Sequence, residues 1–307
     1  MKIRKIVIGA ALVMVGLPAV LILVFLISIS LLNRTNGTIV SSAEKREYLL
    51  YVPPSYDSAM PTPLVISLHG AMSWPALQMK ISRWNEAADE NGFLVVYPSG
   101  TGVGPKTWSM EGAETPSSMP DVEFISELID TLEAAYNIDP ARIYANGLSN
   151  GGAMAFVLSC TLSDRIAAIG AVSAAQSLPW SWCADSTPVP MIAFHGTADP
   201  VVPYSGGKVW IAPDTFPSVQ SWVANWAHRN RCGPNRVDSI VAADVIRSEY
   251  SACADDATVV LYTVEAGGHA WPGGKPLPRW LVGRTSNGVD ATHEMWEFFR
   301  YHPLAGK

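Results

Sequence analysis

Three residues in this chain have the types and order for nucleophilic acyl transfer: Ser149, Asp199 and His269. A serine hydroxyl is a weak nucleophile at neutral pH. It needs a histidine base, and the base needs a carboxylate to hold its tautomer. Ser149 stands in Gly147-Leu148-Ser149-Asn150-Gly151, after the apolar Ile143-Tyr144-Ala145 and before the small and apolar run Gly152 to Leu158. Strand, GxSxG, helix is the setting of a nucleophile elbow, in which the glycines clear space around a bare hydroxyl. Asp199 follows the apolar Met191–Phe194 in His195-Gly196-Thr197-Ala198-Asp199-Pro200, and His269 follows Val259–Val264 among glycines. An Asp-Pro pair is also an ordinary turn, and Asp185 and Asp214 are rival acids that do not directly follow strands. Of the other downstream histidines, His228 and His293 fall in predicted helices and His302 lies near the C-terminus.

The tetrahedral oxyanion of such a reaction needs two N–H donors. Asn150, next to the nucleophile, supplies one. The other is expected after the apolar Leu64–Leu68, where His69-Gly70-Ala71-Met72 stands, with Ala71 first and Met72 as the fallback. His69 reads as a support for that loop, not as the base. Trp74, Trp108 and Trp271, with Trp180 and Trp182, fall in predicted loops and are candidate substrate-binding aromatics, or simply fill space beneath loops. No metal or cofactor is called for by these residues.

The elements that must position these groups read as apolar strands alternating with helices. Strands are expected at 48–52, 64–68, 93–97, 143–145, 166–172, 191–194 and 259–264. Helices are expected at 77–91, at 121–136 with Asp121 as its cap, at 152–158, 216–229 and 289–301. Near-continuous apolar strands mean a mostly parallel sheet covered on both faces. Ligands of such sheets bind at the carboxyl ends of the strands, where His69, Ser149, Asp199 and His269 all fall. The Gly/Pro/Ser-rich stretch from Ser99 to Pro120 reads as active-site surface.

Residues 1–32 differ in kind. Lys2, Arg4 and Lys5 precede 27 uncharged residues, Ile6 to Leu32, with no A-x-A site after them. A signal-peptide core needs about 7–15 residues and a membrane helix about 20. The run is therefore expected to be an uncleaved transmembrane signal anchor, with a cleaved signal as the alternative. Residues 33–46 read as a polar tether and 47–307 as an extracytoplasmic catalytic domain. Of 21 Lys+Arg, four lie in residues 1–34, leaving 17 against 27 Asp+Glu, a balance of −10. So acidic a domain argues against nucleic acid as a partner. Cys160, Cys183, Cys232 and Cys253 form an even set in an exported domain, with three possible pairings. The sequential pairs are expected, each closing a loop of about 20 residues and contributing on the order of 3 kcal/mol; buried free thiols are the other reading.

Together, LHG at 68–70, NIDPARIYANGLSNGG at 137–152, FHGTADPVVPY at 194–204 and YTVEAGGHAWPG at 262–273 resemble the extracellular polyhydroxybutyrate depolymerase and feruloyl-esterase-like branch of the α/β-hydrolases, carbohydrate esterases of the family-one type. The likeness covers about residues 46–302. It implies an α/β-hydrolase fold, Ser149 as nucleophile, Asp199 as acid, His269 as base, and a small or oligomeric ester as substrate. Two departures stand out: Ala71-Met72-Ser73-Trp74 where glycines are more usual, and no polymer-binding module after the last helix. The alternatives are a serine peptidase of related fold, disfavoured by the lack of a gating domain, and a catalytically inactive hydrolase fold that binds carbohydrate or lipid.

Overall fold

The computed structural model describes residues 31–109, 118–183, 187–208, 215–304 and 306. Nearly all of the expected membrane segment, together with Asp185 and Asp214, lies outside them. Among the described residues no helix is long and apolar enough to cross a membrane. The chain divides into Met1–Arg34 and Thr35–Lys307, and every element below belongs to the second unit.

Its strands are β1 (Gly37–Ser41), β2 (Glu44–Tyr51), β3 (Thr62–Leu68), β4 (Leu94–Pro98), β5 (Ile138–Leu148), β6 (Ala168–Val172), β7 (Met191–Gly196), the short β8 (Gly207–Lys208) and β9 (Thr215–Phe216), β10 (Arg236–Ala242), β11 (Val245–Tyr250) and β12 (Val259–Val264). Ten of them make one sheet in the order β1-β2-β4-β3-β5-β6-β7-β12-β11-β10. The six central strands, β4 to β12, are parallel, and two antiparallel strands flank them on each side. Neighbouring residues of the central strands serve opposite cores. Leu64, Ile66 and Leu68 of β3 enter the cluster with α3 (Pro120–Ala135), α4 (Asn150–Thr161) and α5 (Val219–Arg229). Val65 enters the other, with α1 (Pro75–Ser82), α2 (Trp84–Asn91) and α7 (Ala291–Arg300). This period of two on a sheet buried from both sides is why the strands read as unbroken apolar runs.

Four details differ from the sequence reading. Residues 33–46, expected as a tether, contribute β1 and the start of β2 at the sheet margin, where Thr38, Val40, Glu44 and Lys45 are exposed and Ser41 and Arg46 are buried. The hairpin β10–β11 is absent from the sequence reading, because β10 is exposed almost throughout and its apolar residues, Val237, Ile240 and Val241, do not alternate along the strand. The helix expected at 77–91 is two, α1 and α2, broken at Arg83, whose φ of 62° lies in the left-handed region. Asp121 does not cap α3; the helix starts at Pro120 behind Met119. Instead Asp121, 1% exposed, meets Arg46 Nη2 at 2.6 Å and accepts a hydrogen bond from Ser109 N at 2.8 Å. The Arg46 guanidinium also lies 4.0 Å from the centre of the Phe124 ring.

Both disulfides form in the sequential pairs, Cys160–Cys183 and Cys232–Cys253. The first ties the end of α4 to the turn before β7, and the second ties the segment after α5 to the one before β12.

Removing one member of a buried ion pair strands a charge and costs about 3–5 kcal/mol, whereas replacing both members with apolar groups costs far less. Asp121→Ala is therefore expected to lower the urea unfolding free energy by about 3 kcal/mol. The double variant Arg46→Met/Asp121→Leu should recover most of that loss.

Candidate active site

Ser149 sits where β5 turns into α4, with φ 56° and ψ −120°. A non-glycine residue held there stores about 1–3 kcal/mol of strain, and the surroundings keep it there. Ser149 N donates to Val172 O of β6 at 2.8 Å, and Ser149 O accepts from Ala153 N at 2.9 Å. The flanking glycines are required by contact. A Cβ on Gly147 would stand 2.3 Å from the Gly151 carbonyl carbon, and one on Gly151 would stand 2.3 Å from Leu68 O.

Asp199 and His269 meet. His269 Nδ1 donates to Asp199 Oδ2 at 2.8 Å, and Val201 N and Val202 N donate to Asp199 Oδ1, each at 2.8 Å. Burial pushes the Asp199 carboxyl up, but the hydrogen bond from His269 and the surrounding donors outweigh it and hold the group below its ordinary value. The loop carrying the imidazole is pinned from two sides. His269 N donates to Val282 O of the short helix α6 (Arg279–Val282) at 2.6 Å, and Gly267 O accepts from Ala198 N at 2.9 Å. Ser149, Asp199 and His269 thus follow the carboxyl ends of β5, β7 and β12, within four consecutive strands of the sheet. All three are buried, at 8%, 6% and 7% exposure.

A second imidazole, not expected from the sequence, adjoins this carboxylate. His195 Nε2 donates to Val202 O at 2.9 Å and lies 3.5 Å from Asp199 Oδ2. Burial pushes its pKa down, against the pull of Asp199, so it sits beside the acid as a neutral group. The signal was in the HGTADP motif, where its position inside a buried strand marks it as structural.

The loop after β3 lies against Ser149. A Cβ on Gly70 would be 3.6 Å from Ser149 Cβ. Ala71 is half-buried, and Met72 is exposed with φ 54°. His69 is buried behind them, with Nδ1 donating to Gly70 O at 2.8 Å and Nε2 accepting from Gly100 N at 3.0 Å. An acceptor on one side and a donor on the other select the neutral Nδ1–H tautomer.

Two of the expected aromatic contacts are corrected by burial. Trp108 is 2% exposed, and its indole donates to His69 O at 2.8 Å. Trp271 is 1% exposed and donates to Thr292 Oγ1 at 2.9 Å. Both fill space beneath the rim, because loops folded over the sheet edge need large rings under them. Trp180 packs edge-on against Phe156 and Trp226, and Trp182 rests half-buried on the same core. Trp74 is half-buried, with an indole N–H that has no partner among the described residues. No cluster of metal-ligating side chains occurs among the described residues.

Comparison with known proteins gives the family and the fold. The profile of the Phospholipase/Carboxylesterase family matches residues 102–210, a stretch holding Ser149 and Asp199 but not His269. Feruloyl esterase C of Emericella nidulans is 32% identical over 273 residues, covering 86% of this chain and 87% of that one. A bifunctional acetylxylan esterase/xylanase of Neocallimastix patriciarum is 31% identical over 194 residues, and there the match spans only 25% of the relative's length. Among solved structures, an acetyl xylan esterase from Aspergillus awamori superposes with a TM-score of 0.60 over 86% of this chain and 98% of that one, at 14% identity, a likeness of fold alone.

Burial pushes the His69 imidazole down to about 4, with Lys106 adding to the effect and the Gly70 carbonyl opposing it. Unfolded, the same group takes its proton near its ordinary value of about 6.5. The stability it contributes is complete above that value and is lost as pH falls towards about 4, on the order of 3 kcal/mol in all. The urea midpoint should accordingly drop between pH 6.5 and 4, and His69→Gln should flatten that drop. His195 and His302 act in the same direction in both proteins, so the difference isolates His69.

Proposed function

Since the chain belongs to the feruloyl-esterase-like α/β-hydrolases and is a carboxylic ester hydrolase, we propose that it works through a Ser149–His269–Asp199 triad and an acyl-enzyme. The observation that carries this reading is the 2.8 Å bond between Asp199 and His269, on loops that leave the same rim as the strained Ser149. That bond orients the imidazole with Nδ1 protonated, leaving Nε2 as the base.

The steps follow from ordinary acyl transfer. Ser149 Oγ attacks the ester carbonyl while His269 Nε2 takes its proton. The carbonyl electron pair moves to oxygen, where the amides of Asn150 and Ala71 receive it. Collapse expels the alcohol, which takes the proton from His269. Water then repeats the sequence and releases the acid. Asp199 stays ionised throughout, offsetting the imidazolium that forms twice per turnover. No step calls for a metal or cofactor.

The names of the relatives suggest a phenolic or acetyl ester of carbohydrate as substrate, small or oligomeric. Trp74, half-buried three residues after Ala71, keeps part of its ring exposed and is the aromatic we assign to substrate contact. Two disulfides support an oxidising, extracytoplasmic setting, which the apolar run Ile6–Leu32 would reach as a retained anchor or a cleaved signal.

Ser149→Ala is expected to abolish both fluorophosphonate labelling and hydrolysis of 4-nitrophenyl acetate. Asp199→Asn should lower kcat by about 10⁴-fold with little change in KM, because the imidazole then takes the wrong tautomer. A folded wild type that takes no label would point to a carbohydrate- or lipid-binding protein instead. Turnover of methyl ferulate, acetylated xylan and hydroxybutyrate oligomers, compared side by side, ranks the substrates.

A further inference from the structure

Resting on the esterase reading above, we infer that the segment from Ser99 to Ser109 is a clamp on the oxyanion hole, in which the Asn150 side chain, Trp108 and His69 are positioning residues joining its two donor peptides. The two N–H groups come from distant parts of the chain. One belongs to Asn150 at the start of α4, and the other to Ala71 after β3. Pairing of β3 with β5 sets the spacing of the two elements as far as Leu68 and Gly147, but both donor peptides lie beyond the last paired residues.

A continuous path of hydrogen bonds does so. The Asn150 amide pairs with both backbone groups of residue 108: Oδ1 accepts from Trp108 N at 2.7 Å, and Nδ2 donates to Trp108 O at 3.2 Å. Oδ1 also accepts from Thr107 Oγ1 at 3.2 Å. The Trp108 indole then donates to His69 O at 2.8 Å, and its ring lies on the His69 imidazole with centroids 5.0 Å apart. His69 is held by Gly100 N on one side and grips Gly70 O on the other.

Gly70 O belongs to the same peptide plane as Ala71 N–H. In a trans peptide the two point in opposite directions, so fixing the carbonyl fixes the donor. The path therefore starts on the residue that supplies one donor and ends on the peptide that supplies the other. It runs through buried groups, Trp108 at 2% exposure and His69 at 0%, where a broken bond is costly and a satisfied chain is stiff. Gly100 is small for the same reason: a Cβ there would stand 2.4 Å from Thr107 O and 3.3 Å from His69 Cε1, prising the loop off the imidazole.

Trp108→Phe keeps an aromatic ring but removes the indole donor together with the volume of the fused pyrrole, so its effect is read beside that of Asn150→Ala. Asn150→Ala keeps the Asn150 backbone N–H and removes the grip on residue 108. Each is expected to lower kcat at least tenfold with KM within twofold. Each should also weaken inhibition by an aryl trifluoromethyl ketone by a matching factor. That inhibitor forms a bond from Ser149 Oγ to its carbonyl carbon and leaves a negative oxygen in the hole, so it reports the donors directly. Fluorophosphonate labelling of the variants should still run to completion, because nucleophile and base are untouched.

Variants that lose thermal stability while keeping wild-type kcat and ketone affinity would reduce the clamp to core packing and overturn the inference. A rise in KM alone would overturn it too, making Trp108 part of the substrate pocket. If Trp108→Phe does not fold, Asn150→Ala carries the same readouts at a half-buried residue. A wild type that neither labels nor turns over any ester is a separate outcome, which removes the esterase reading and the clamp with it.

Discussion

The site depends on how closely two stretches of backbone approach at the centre of the sheet. Gly151 lies so near the carbonyls of Leu68 and His69 that a single Cβ would stand 2.3 and 2.6 Å from them. That approach brings the end of β3 against the turn from β5 into α4. It places the Gly70 loop beside Ser149 and forces the serine into a conformation that side chains rarely adopt. Parallel pairing of β3 with β5 along Leu64–Leu68 supplies the cohesion that holds the strain. A strained residue persists only where its surroundings over-determine it, and here both cores of the sheet close around it.

Three buried histidines stand at the carboxyl ends of the parallel strands, and burial gives them different work. His69 and His195 are kept neutral, each with one ring nitrogen held by a backbone carbonyl, so they act as fixed struts. His269 instead bonds a carboxylate, the partner suited to the base of the proposed triad. The same side chain thus serves structure or chemistry according to whether its partner is a dipole or a charge. Asp199 is shared between the two kinds: it accepts from His269 and lies 3.5 Å from His195, with two backbone amides holding its other oxygen.

The loop from Ser99 to Ser109 shows how an irregular segment becomes part of a rigid site. It has little regular structure of its own, yet its backbone is taken up by Asn150, His69 and Asp121 in turn. Asp121 in turn holds Arg46 of β2, so the loop is fastened to the outer part of the sheet as well as to the nucleophile turn. The ion pair is buried and costs desolvation on its own account. Its hydrogen bonds to Ser99 O and Ser109 N, at the two ends of that loop, are what set it apart from simple packing.

Much of this was legible in the residue order. Apolar runs marked the central strands, the GxSxG sequence marked the strained turn at Ser149, and the positions just after strands marked Asp199 and His269 as residues of the same sheet edge, because each of these depends on near neighbours along the chain. Even the sequential disulfides were among the few pairings possible. What the order could not decide was burial and partnership. Trp108 and Trp271 read equally as substrate-binding aromatics or as filling beneath loops, and they are interior rings. Asp121 looked like a helix cap and is half of an ion pair with a residue 75 positions away. The hairpin β10–β11 left no alternating apolar pattern to read. Whether a ring faces solvent or a carbonyl 39 positions off is set by how loops pack over the sheet, and that packing is a property of contacts between distant segments that no local pattern encodes.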